Sequence, residues 1–124
     1  MITVTLPGLP PALNHAYQHC ADGSKRRSRA SVEWQDSTRL LIRNALAWAE
    51  WRPAPRSPLA VTVHLTAPNC YAWDCDGRLK LLLDVLLPAL GSDDRWIVDL
   101  RVTKARAAAP ATVVTVAAAV GEEA

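Results

Sequence analysis

Apolar and polar residues alternate, or recur at helical spacing, in six segments of the chain. Ile2 to Leu6 alternates residue by residue, which is typical of a strand with one buried face. From Ser31 to Glu50 apolar residues return every three or four positions, which predicts an amphipathic helix with Ser31 as its N-cap. The predicted elements are a strand over 2–6, a helix over 31–50, a strand over 59–67, a helix over 74–87, a strand over 96–104 and a strand over 112–119.

This order predicts an α+β fold in which a small mixed sheet packs with two helices. The elements follow as β-α-β-α-β-β, and we expect the last two strands to form an antiparallel hairpin with Pro110 in its turn. The second helix is rich in leucine, so it needs cover on more than one face, from the sheet, a second subunit or both. We expect a single domain over 1–124 that ends in a short tail over 121–124.

Composition excludes several classes of protein. Half of the residues are hydrophobic and 21% are charged, which excludes a disordered chain. No apolar run reaches the roughly 18 residues of a membrane span. The first residues lack the basic start of a signal peptide, so we expect a cytoplasmic protein. Three cysteines at irregular spacing argue against a disulfide framework, and none forms the CxxC pair typical of zinc sites.

Charge is distributed unevenly, although the net charge is only +2. Residues 1–66 carry eight basic and four acidic side chains, a net of +4, whereas residues 67–124 carry six and eight, a net of −2. The polar segment from Pro7 to about Ala30 predicts a long loop, and its part over about 18–30 is basic. A basic flank beside an acidic centre suits a polyanion held by cations and acted on by metal-bound carboxylates. A solvated charged loop is the alternative.

The residues best suited to chemistry lie in and after the second predicted helix. Asp74 and Asp76 stand at its start, where free N–H groups favour carboxylates. Lys80 and Asp84 follow Asp76 on the same face, and the next loop could bring Asp93-Asp94 near them. Three such carboxylates would suit Mg²⁺, which prefers oxygen ligands, while the lysine orients a water or offsets negative charge.

Each of these features also has a local explanation. Asp74 could serve only as an N-cap, Asp76 and Lys80 only as an exposed i,i+4 pair, and Asp93-Asp94 only as a polar turn. Asp84 favours a functional site, because a carboxylate on a leucine-rich helix needs a partner, and Lys80 is the nearest one.

One motif is specific enough to suggest a family. The chain reads Asp-Cys-Asp-Gly-Arg-Leu-Lys over 74–80, continues with Asp84 and Asp93-Asp94, and reads Ile-Val-Asp-Leu-Arg-Val-Thr-Lys over 97–104. Its opening strand is followed by Leu6-Pro7, Pro10-Pro11, Asn14 and Tyr17. In these features, from about Ile2 to Ala119, the chain resembles the RusA-type Holliday junction resolvases, small endodeoxyribonucleases of bacteria and their phages.

The resemblance implies a homodimer of small mixed α/β subunits that binds four-way DNA junctions and makes paired, symmetric, Mg²⁺-dependent cuts. Asp74, Asp76 and Asp94 match the family's essential acidic residues, and Lys80 matches its essential lysine. The family usually has asparagine where this chain has Gly77.

We therefore expect a homodimeric, structure-selective endonuclease of DNA recombination and repair that uses Mg²⁺, with Mn²⁺ as an alternative ion. The expected catalytic residues are Asp74, Asp76, Asp94 and Lys80, and the expected metal ligands are the same aspartates, with Asp93 as a further candidate. The expected DNA contacts are Lys25, Arg26, Arg27, Arg29 and Asn14.

Three other functions remain as hypotheses. A branched-DNA-binding protein that does not cut is the first, with Gly77 marking decay of the site. A metal-dependent phosphohydrolase of small molecules is the second, although the basic cluster weighs against it, because a small substrate needs no extended cationic loop. A purely structural protein is the third, and it would tolerate asparagine at all three aspartates.

Overall fold

The computed structural model describes residues 1–12 and 17–119. The expected tail over 121–124 and the expected DNA contact Asn14 lie outside the described residues. The elements are β1 (Ile2–Pro7), β2 (Tyr17–His19), β3 (Lys25–Arg27), α1 (Arg29–Ala49), β4 (Leu59–Ala67), α2 (Asp76–Ala89), β5 (Ile97–Arg106) and β6 (Ala111–Ala118). Short 3₁₀ turns cover Cys70–Ala72 and Asp94–Trp96. The expected α+β fold, with a mixed sheet and two helices, is confirmed.

The four long strands form one sheet in the order β1-β6-β4-β5. β6 runs antiparallel to both β1 and β4, whereas β5 runs parallel to β4. The predicted hairpin of the last two strands is therefore wrong, because β4 lies between them. Helix α2 returns the chain to the start of β4, so β5 pairs with β4 in parallel. The connection from β5 to β6 then passes the end of β4, where Ala107 N donates to Ala67 O at 3.2 Å.

One face of this sheet carries the core. Alternate residues of β4, namely Leu59, Val61, Val63 and Leu65, are almost fully buried. Both helices pack on this face: α1 contributes Ile42 and Leu46, and α2 contributes Leu82, Val85 and Leu86. The opposite face carries the exposed residues Thr3, Thr5 and Thr62. The leucine-rich α2 is thus covered mainly by the sheet and α1, while Leu83 remains only partly buried.

The segment predicted as a long basic loop contains an antiparallel hairpin of β2 and β3. Its turn is closed by Asp22, whose Oδ1 accepts from Ser24 N at 3.0 Å and from Ser24 Oγ at 2.6 Å. Gly23 lies in this turn with a φ of 86°, a conformation that glycine adopts without strain. Strands of three polar residues have no alternating apolar pattern, so the periodicity did not predict them.

The helix boundaries differ slightly from the prediction. Ser28, not Ser31, is the N-cap of α1, and its Oγ accepts from Ser31 N at 3.2 Å, while Ser31 is buried within the helix. Helix α2 begins at Asp76, so Asp74 lies before it and is not its N-cap. Pro88 lies inside the last turn of α2, beyond the predicted end at Leu87. None of the helices within residues 1–12 and 17–119 is long and apolar enough to cross a membrane.

Candidate active site

Asp74 and Asp76 lie where the chain passes from β4 into α2. After β4 the chain makes the 3₁₀ turn over Cys70–Ala72, becomes extended at Trp73 and enters α2. Both carboxylates are exposed to solvent and line the same concavity of about 420 Å³. Its other lining residues are Ala12, Asn69, Ala72, Trp73, Gly77 and Arg78. The predicted pair of aspartates therefore shares one depression that is open to solvent.

Two cations hold Trp73, the residue immediately before this pair. Lys104 Nζ donates to the Trp73 carbonyl oxygen at 2.7 Å and lies 5.2 Å from the centroid of the indole ring. The Arg78 guanidinium lies 5.1 Å from the same centroid, within the range of a cation–π interaction. These contacts tie the backbone next to Asp74 to β5 and to the first turns of α2.

Arg78 also connects α2 to the proline-rich segment after β1. Its Nη1 donates to the Pro10 carbonyl oxygen at 2.9 Å, while its Nε is buried without a hydrogen-bond partner among the described residues. Partial burial lowers the pKa of the Arg78 guanidinium from its ordinary value, since burial penalises the charged form. The side chain is thus a half-buried cation behind the concavity, and it adds positive potential beside two carboxylates.

Asp76 starts the first turn of α2, where the free N–H groups of the helix stabilise a carboxylate. Its Oδ1 accepts from Gly77 N at 3.0 Å. A Cβ atom added at Gly77 would meet nothing within 4 Å. There is therefore space at this position for the β-carbon of the asparagine that is usual in the family this chain resembles. Glycine at this position is not required by close packing.

Lys80 lies one turn further along α2 and pairs with Asp84, as the sequence predicted. Lys80 Nζ and Asp84 Oδ1 are 3.2 Å apart, with 62% and 33% of their side chains exposed. The alternative ion pair of Lys80 with Asp76 does not form. An exposed pair of this kind contributes little stability, so the Lys80 ammonium group is held only weakly.

Asp93 and Asp94 lie at the opposite end of α2. Asp93 caps the 3₁₀ turn, since its Oδ1 accepts from Arg95 N at 3.1 Å. This hydrogen bond, followed by a side-chain hydrogen bond with Asp94, lowers the pKa of the Asp93 carboxyl. Both aspartates line a separate concavity with Leu83, Asp84, Leu87, Pro88 and Ser92.

The expectation that the loop after α2 folds back toward Asp74 and Asp76 is therefore wrong within one chain. No group of three or more His, Cys, Asp or Glu side chains among the described residues is arranged to hold a metal ion. At a rise of 1.5 Å per residue, the 14 residues of α2 separate its two ends by about 20 Å. A rigid helix of this length prevents the two acidic pairs of one chain from meeting.

The four basic residues expected to contact DNA have different environments. Lys25 and Arg26 are exposed on β3. Arg27 donates to Gln35 Oε1 and so connects the hairpin to α1. Arg29 begins α1 with 91% of its side chain exposed and pairs with Glu33 at 3.1 Å. Lys25, Arg26 and Arg29 are thus exposed, whereas Arg27 is partly buried and is bonded to α1.

Trp73 and Lys104 were not among the residues that the sequence singled out for function. A signal for Lys104 was nevertheless present, because it continues the alternation of Leu100 and Val102 on the helix-covered face of β5. A lysine at an apolar-face position needs an acceptor for its ammonium group. The acceptor, a backbone carbonyl 31 residues earlier in the chain, could not be identified from spacing.

Comparisons with known proteins give one family. A search of curated proteins finds no match to this chain. A family model described as "Endodeoxyribonuclease RusA" matches residues 7–117, which is nearly the whole chain and includes both acidic pairs, Lys80 and Lys104. The protein therefore belongs to the RusA endodeoxyribonuclease family.

Proposed function

We propose that the protein is a Mg²⁺-dependent, structure-selective DNA endonuclease that cuts four-way junctions by paired nicks. The observation that carries this proposal is the pair Asp74 and Asp76, exposed together in one concavity of a chain from an endodeoxyribonuclease family. A solvent-open site suits a phosphodiester of duplex or branched DNA, which is too large for an enclosed pocket.

The donor set of this concavity fits a hard divalent cation. Mg²⁺ is usually held by one or two carboxylates, with waters and substrate phosphates completing the octahedron. Asp74 and Asp76 would supply the two carboxylates, and Mn²⁺ accepts the same oxygen ligands. Such an ion, when bound, polarises a phosphoryl oxygen and lowers the pKa of a coordinated water.

The protein's own residues supply orientation and positive charge. Trp73, held by Lys104 and Arg78, fixes the backbone from which Asp74 projects. Lys80, one turn beyond Asp76, offers an ammonium group that can offset the charge that develops on the phosphate. Asp84 keeps that ammonium near the site between turnovers.

The exposed cations of the hairpin and of α1 provide non-specific binding to the DNA backbone. Lys25 and Arg26 on β3, with Arg29 at the start of α1, lie within five positions of each other and are exposed. Phosphate contacts of this kind hold DNA without reading its sequence. Replacing Lys25 and Arg26 by glutamine should reduce the salt dependence of junction binding by about 0.9 in log–log slope for each lost phosphate contact. An unchanged slope would contradict a DNA-binding role for β3.

The function is tested by offering the wild-type protein three substrates. These are an end-labelled synthetic four-way junction, a linear duplex of the same sequence, and a small aryl phosphodiester, each with and without Mg²⁺. The proposal predicts Mg²⁺-dependent cutting of the junction and little cutting of the duplex. Junction binding without cutting in any divalent metal would indicate a recognition protein, and turnover of the aryl phosphodiester alone would indicate a small-molecule phosphohydrolase.

A further inference from the structure

We propose that the ring of Tyr71 is a stacking platform for an unpaired nucleobase, and that it makes the protein bind branched DNA in preference to a continuous duplex. This inference rests on the proposed function. Its starting point is an exposed aromatic ring that a cation contacts, three residues before Asp74 in the chain.

The Tyr71 ring is open to solvent although the backbone that carries it is anchored. Tyr71 lies in the 3₁₀ turn over Cys70–Ala72 and is 76% exposed, whereas its neighbour Cys70 is fully buried. The ring therefore projects from a fixed segment of the chain. It is not part of the hydrophobic core, so its aromatic surface is available to a ligand.

Arg106 covers one face of this ring. Its guanidinium carbon lies 5.3 Å from the ring centroid, within the range of a cation–π interaction. Arg106 ends β5 and is itself exposed. The guanidinium limits the orientations of the ring, while the exposure of Tyr71 leaves the other face open. A flat group that stacks on this open face therefore costs little further side-chain freedom.

Further cations and a second aromatic ring surround this position. Two residues later in the chain, the ring of Trp73 is contacted by Lys104 and Arg78 at 5.2 and 5.1 Å. Positive charge combined with exposed aromatic rings is typical of surfaces that bind unpaired nucleotides, because bases stack on the rings while the cations contact phosphates. Trp73 is only partly exposed, so Tyr71 is the ring better placed to receive a base.

Tyr71 lies within a few nucleotides of the carboxylates. Three steps of about 3.8 Å between Cα atoms separate Tyr71 from Asp74, so these two Cα atoms are at most about 11 Å apart. Successive nucleotides of one DNA strand rise by about 3.4 Å along a duplex. With a phosphate held at the concavity of Asp74 and Asp76, the base that reaches Tyr71 belongs to a nucleotide within about three positions of the cut.

Stacking on Tyr71 distinguishes branched from linear DNA, because only branched DNA supplies a base at low cost. Removing an aromatic ring that stacks on a base lowers affinity by about five- to 150-fold. Extruding a paired base from a continuous duplex costs about as much as the stack gains, and the cost is lowest for a base that is already unpaired. The gain is therefore cancelled on a duplex and largely kept at a branch point, where base stacking is interrupted.

The inference is tested by measuring DNA binding in EDTA, so that metal-dependent cutting does not interfere. Fluorescence anisotropy compares a labelled four-way junction with a linear duplex of the same sequence, for wild type, Tyr71→Ala, Tyr71→Phe and Trp48→Ala. Trp48 is the matched control, because it is an aromatic residue of α1 that is 89% exposed. Tyr71→Ala should weaken junction binding by about tenfold, whereas its duplex binding should change by less than about twofold.

The two other variants should bind the junction as wild type does, since Tyr71→Phe keeps the aromatic ring. Four results would overturn the inference: equal losses on junction and duplex with Tyr71→Ala, a loss with Tyr71→Phe as large as with Tyr71→Ala, an equal loss with Trp48→Ala, or a wild type that does not prefer the junction. In the last case there would be no selectivity for Tyr71 to confer.

A second experiment identifies the base. Abasic nucleotides replace the bases at one chosen distance from the branch point in all four strands, and the distance is varied from one to three positions. At the distance where the base stacks on Tyr71, the abasic junction should bind wild type about tenfold more weakly. The same change should weaken binding of Tyr71→Ala by less than about twofold, because the stack is already lost. Additive losses at every distance would overturn the inference.

Circular dichroism and sedimentation check that Tyr71→Ala keeps its fold and oligomeric state, as the exposure of this ring predicts. A changed oligomeric state would overturn the inference, because another chain would then cover the ring.

These measurements separate the inference from the proposed function. If wild type cuts junctions in Mg²⁺ but Tyr71→Ala binds them as tightly as wild type does, the endonuclease proposal stands and the stacking role is rejected. If Tyr71→Ala loses affinity only for the junction but wild type cuts no DNA, the stacking role stands and the endonuclease proposal is rejected.

Discussion

Removing the ammonium group of Lys104 should weaken both the fold and the acidic site. Lys104→Met keeps most of the aliphatic stem but removes the 2.7 Å hydrogen bond to the Trp73 carbonyl oxygen and the cation above the indole ring. Hydrogen bonds with a charged partner contribute about 1.5–3 kcal/mol, and a partly exposed cation–π contact contributes about 0.5–1 kcal/mol. Because methionine restores some packing, we expect a loss of about 2 kcal/mol, or about thirtyfold in the unfolding equilibrium.

Arg101→Met is the matched control for this substitution. Arg101 lies on the same strand, but its side chain points to the open face and pairs with Asp99 at 3.4 Å, with 75% and 48% of the two side chains exposed. Such a pair contributes about 0.5 kcal/mol. Urea denaturation of both variants measures the difference in stability. Titration with Tb³⁺, a luminescent substitute for a hard divalent cation, should show weakened binding only in Lys104→Met. Equal losses of stability in the two variants, with unchanged Tb³⁺ affinity, would refute the role of Lys104 in holding Trp73.

Local contacts at Ser28, Gly77 and Asp93 can each be tested by a single substitution. Ser28→Ala should lower the free energy of unfolding by about 1 kcal/mol, because it removes the N-cap of α1. Ser31→Ala should be nearly neutral, because the buried Ser31 Oγ has no hydrogen-bond partner among the described residues. Thermal unfolding of the two variants measures the difference. Gly77→Asn should leave the fold intact and stabilise α2 by a few tenths of a kcal/mol, with junction cutting retained; loss of folding would contradict the open space at this position. The hydrogen bond from Arg95 N keeps the pKa of Asp93 in the folded protein below its ordinary value of 3.8. The ionised Asp93 carboxylate therefore stabilises the folded protein at pH values above 3.8, and this stabilisation is lost as the pH falls through the lower, folded pKa. In a plot of the free energy of unfolding against pH, Asp93→Asn should therefore lose less stability at acidic pH than Asp36→Asn does. Parallel curves for the two variants would contradict a stabilising role of the Asp93 carboxylate.

The long amphipathic elements could be predicted from the sequence because burial imposes a period on them. The alternation of Leu59, Val61, Val63 and Leu65 predicted β4 with its observed bounds. The hairpin of β2 and β3 could not be predicted in this way, because it is held by backbone pairing and by the turn at Asp22 rather than by an apolar face.

The order of strands in the sheet is a non-local property. A short connection with Pro110 favours a hairpin between β5 and β6, but β4 lies between these strands. β5 pairs with β4 instead, because the chain crosses over through α2 and returns parallel to β4. No local sequence pattern indicates this pairing.

The sequence indicated which residues belong to the candidate site, but it did not indicate how those residues are placed relative to one another. The motif around Asp74, Asp76 and Lys80 identified the acidic segment and the Lys80–Asp84 pair. It could not show that Asp93-Asp94 lies at the far end of α2, because that distance follows from the parallel register of β4 and β5. Sequence spacing alone suggested convergence within one chain, whereas the topology prevents it.

Mapping the nicks on all four strands of a synthetic junction in Mg²⁺ tests directly whether the acidic pair at the start of α2 cuts DNA. Wild type, Asp76→Asn and the exposed control Asp36→Asn would be compared. We expect two nicks at symmetric positions on opposing strands for wild type and Asp36→Asn, and none for Asp76→Asn or without Mg²⁺. Symmetric nicks that persist in Asp76→Asn, or no nicks from wild type in Mg²⁺ or Mn²⁺, would contradict this expectation.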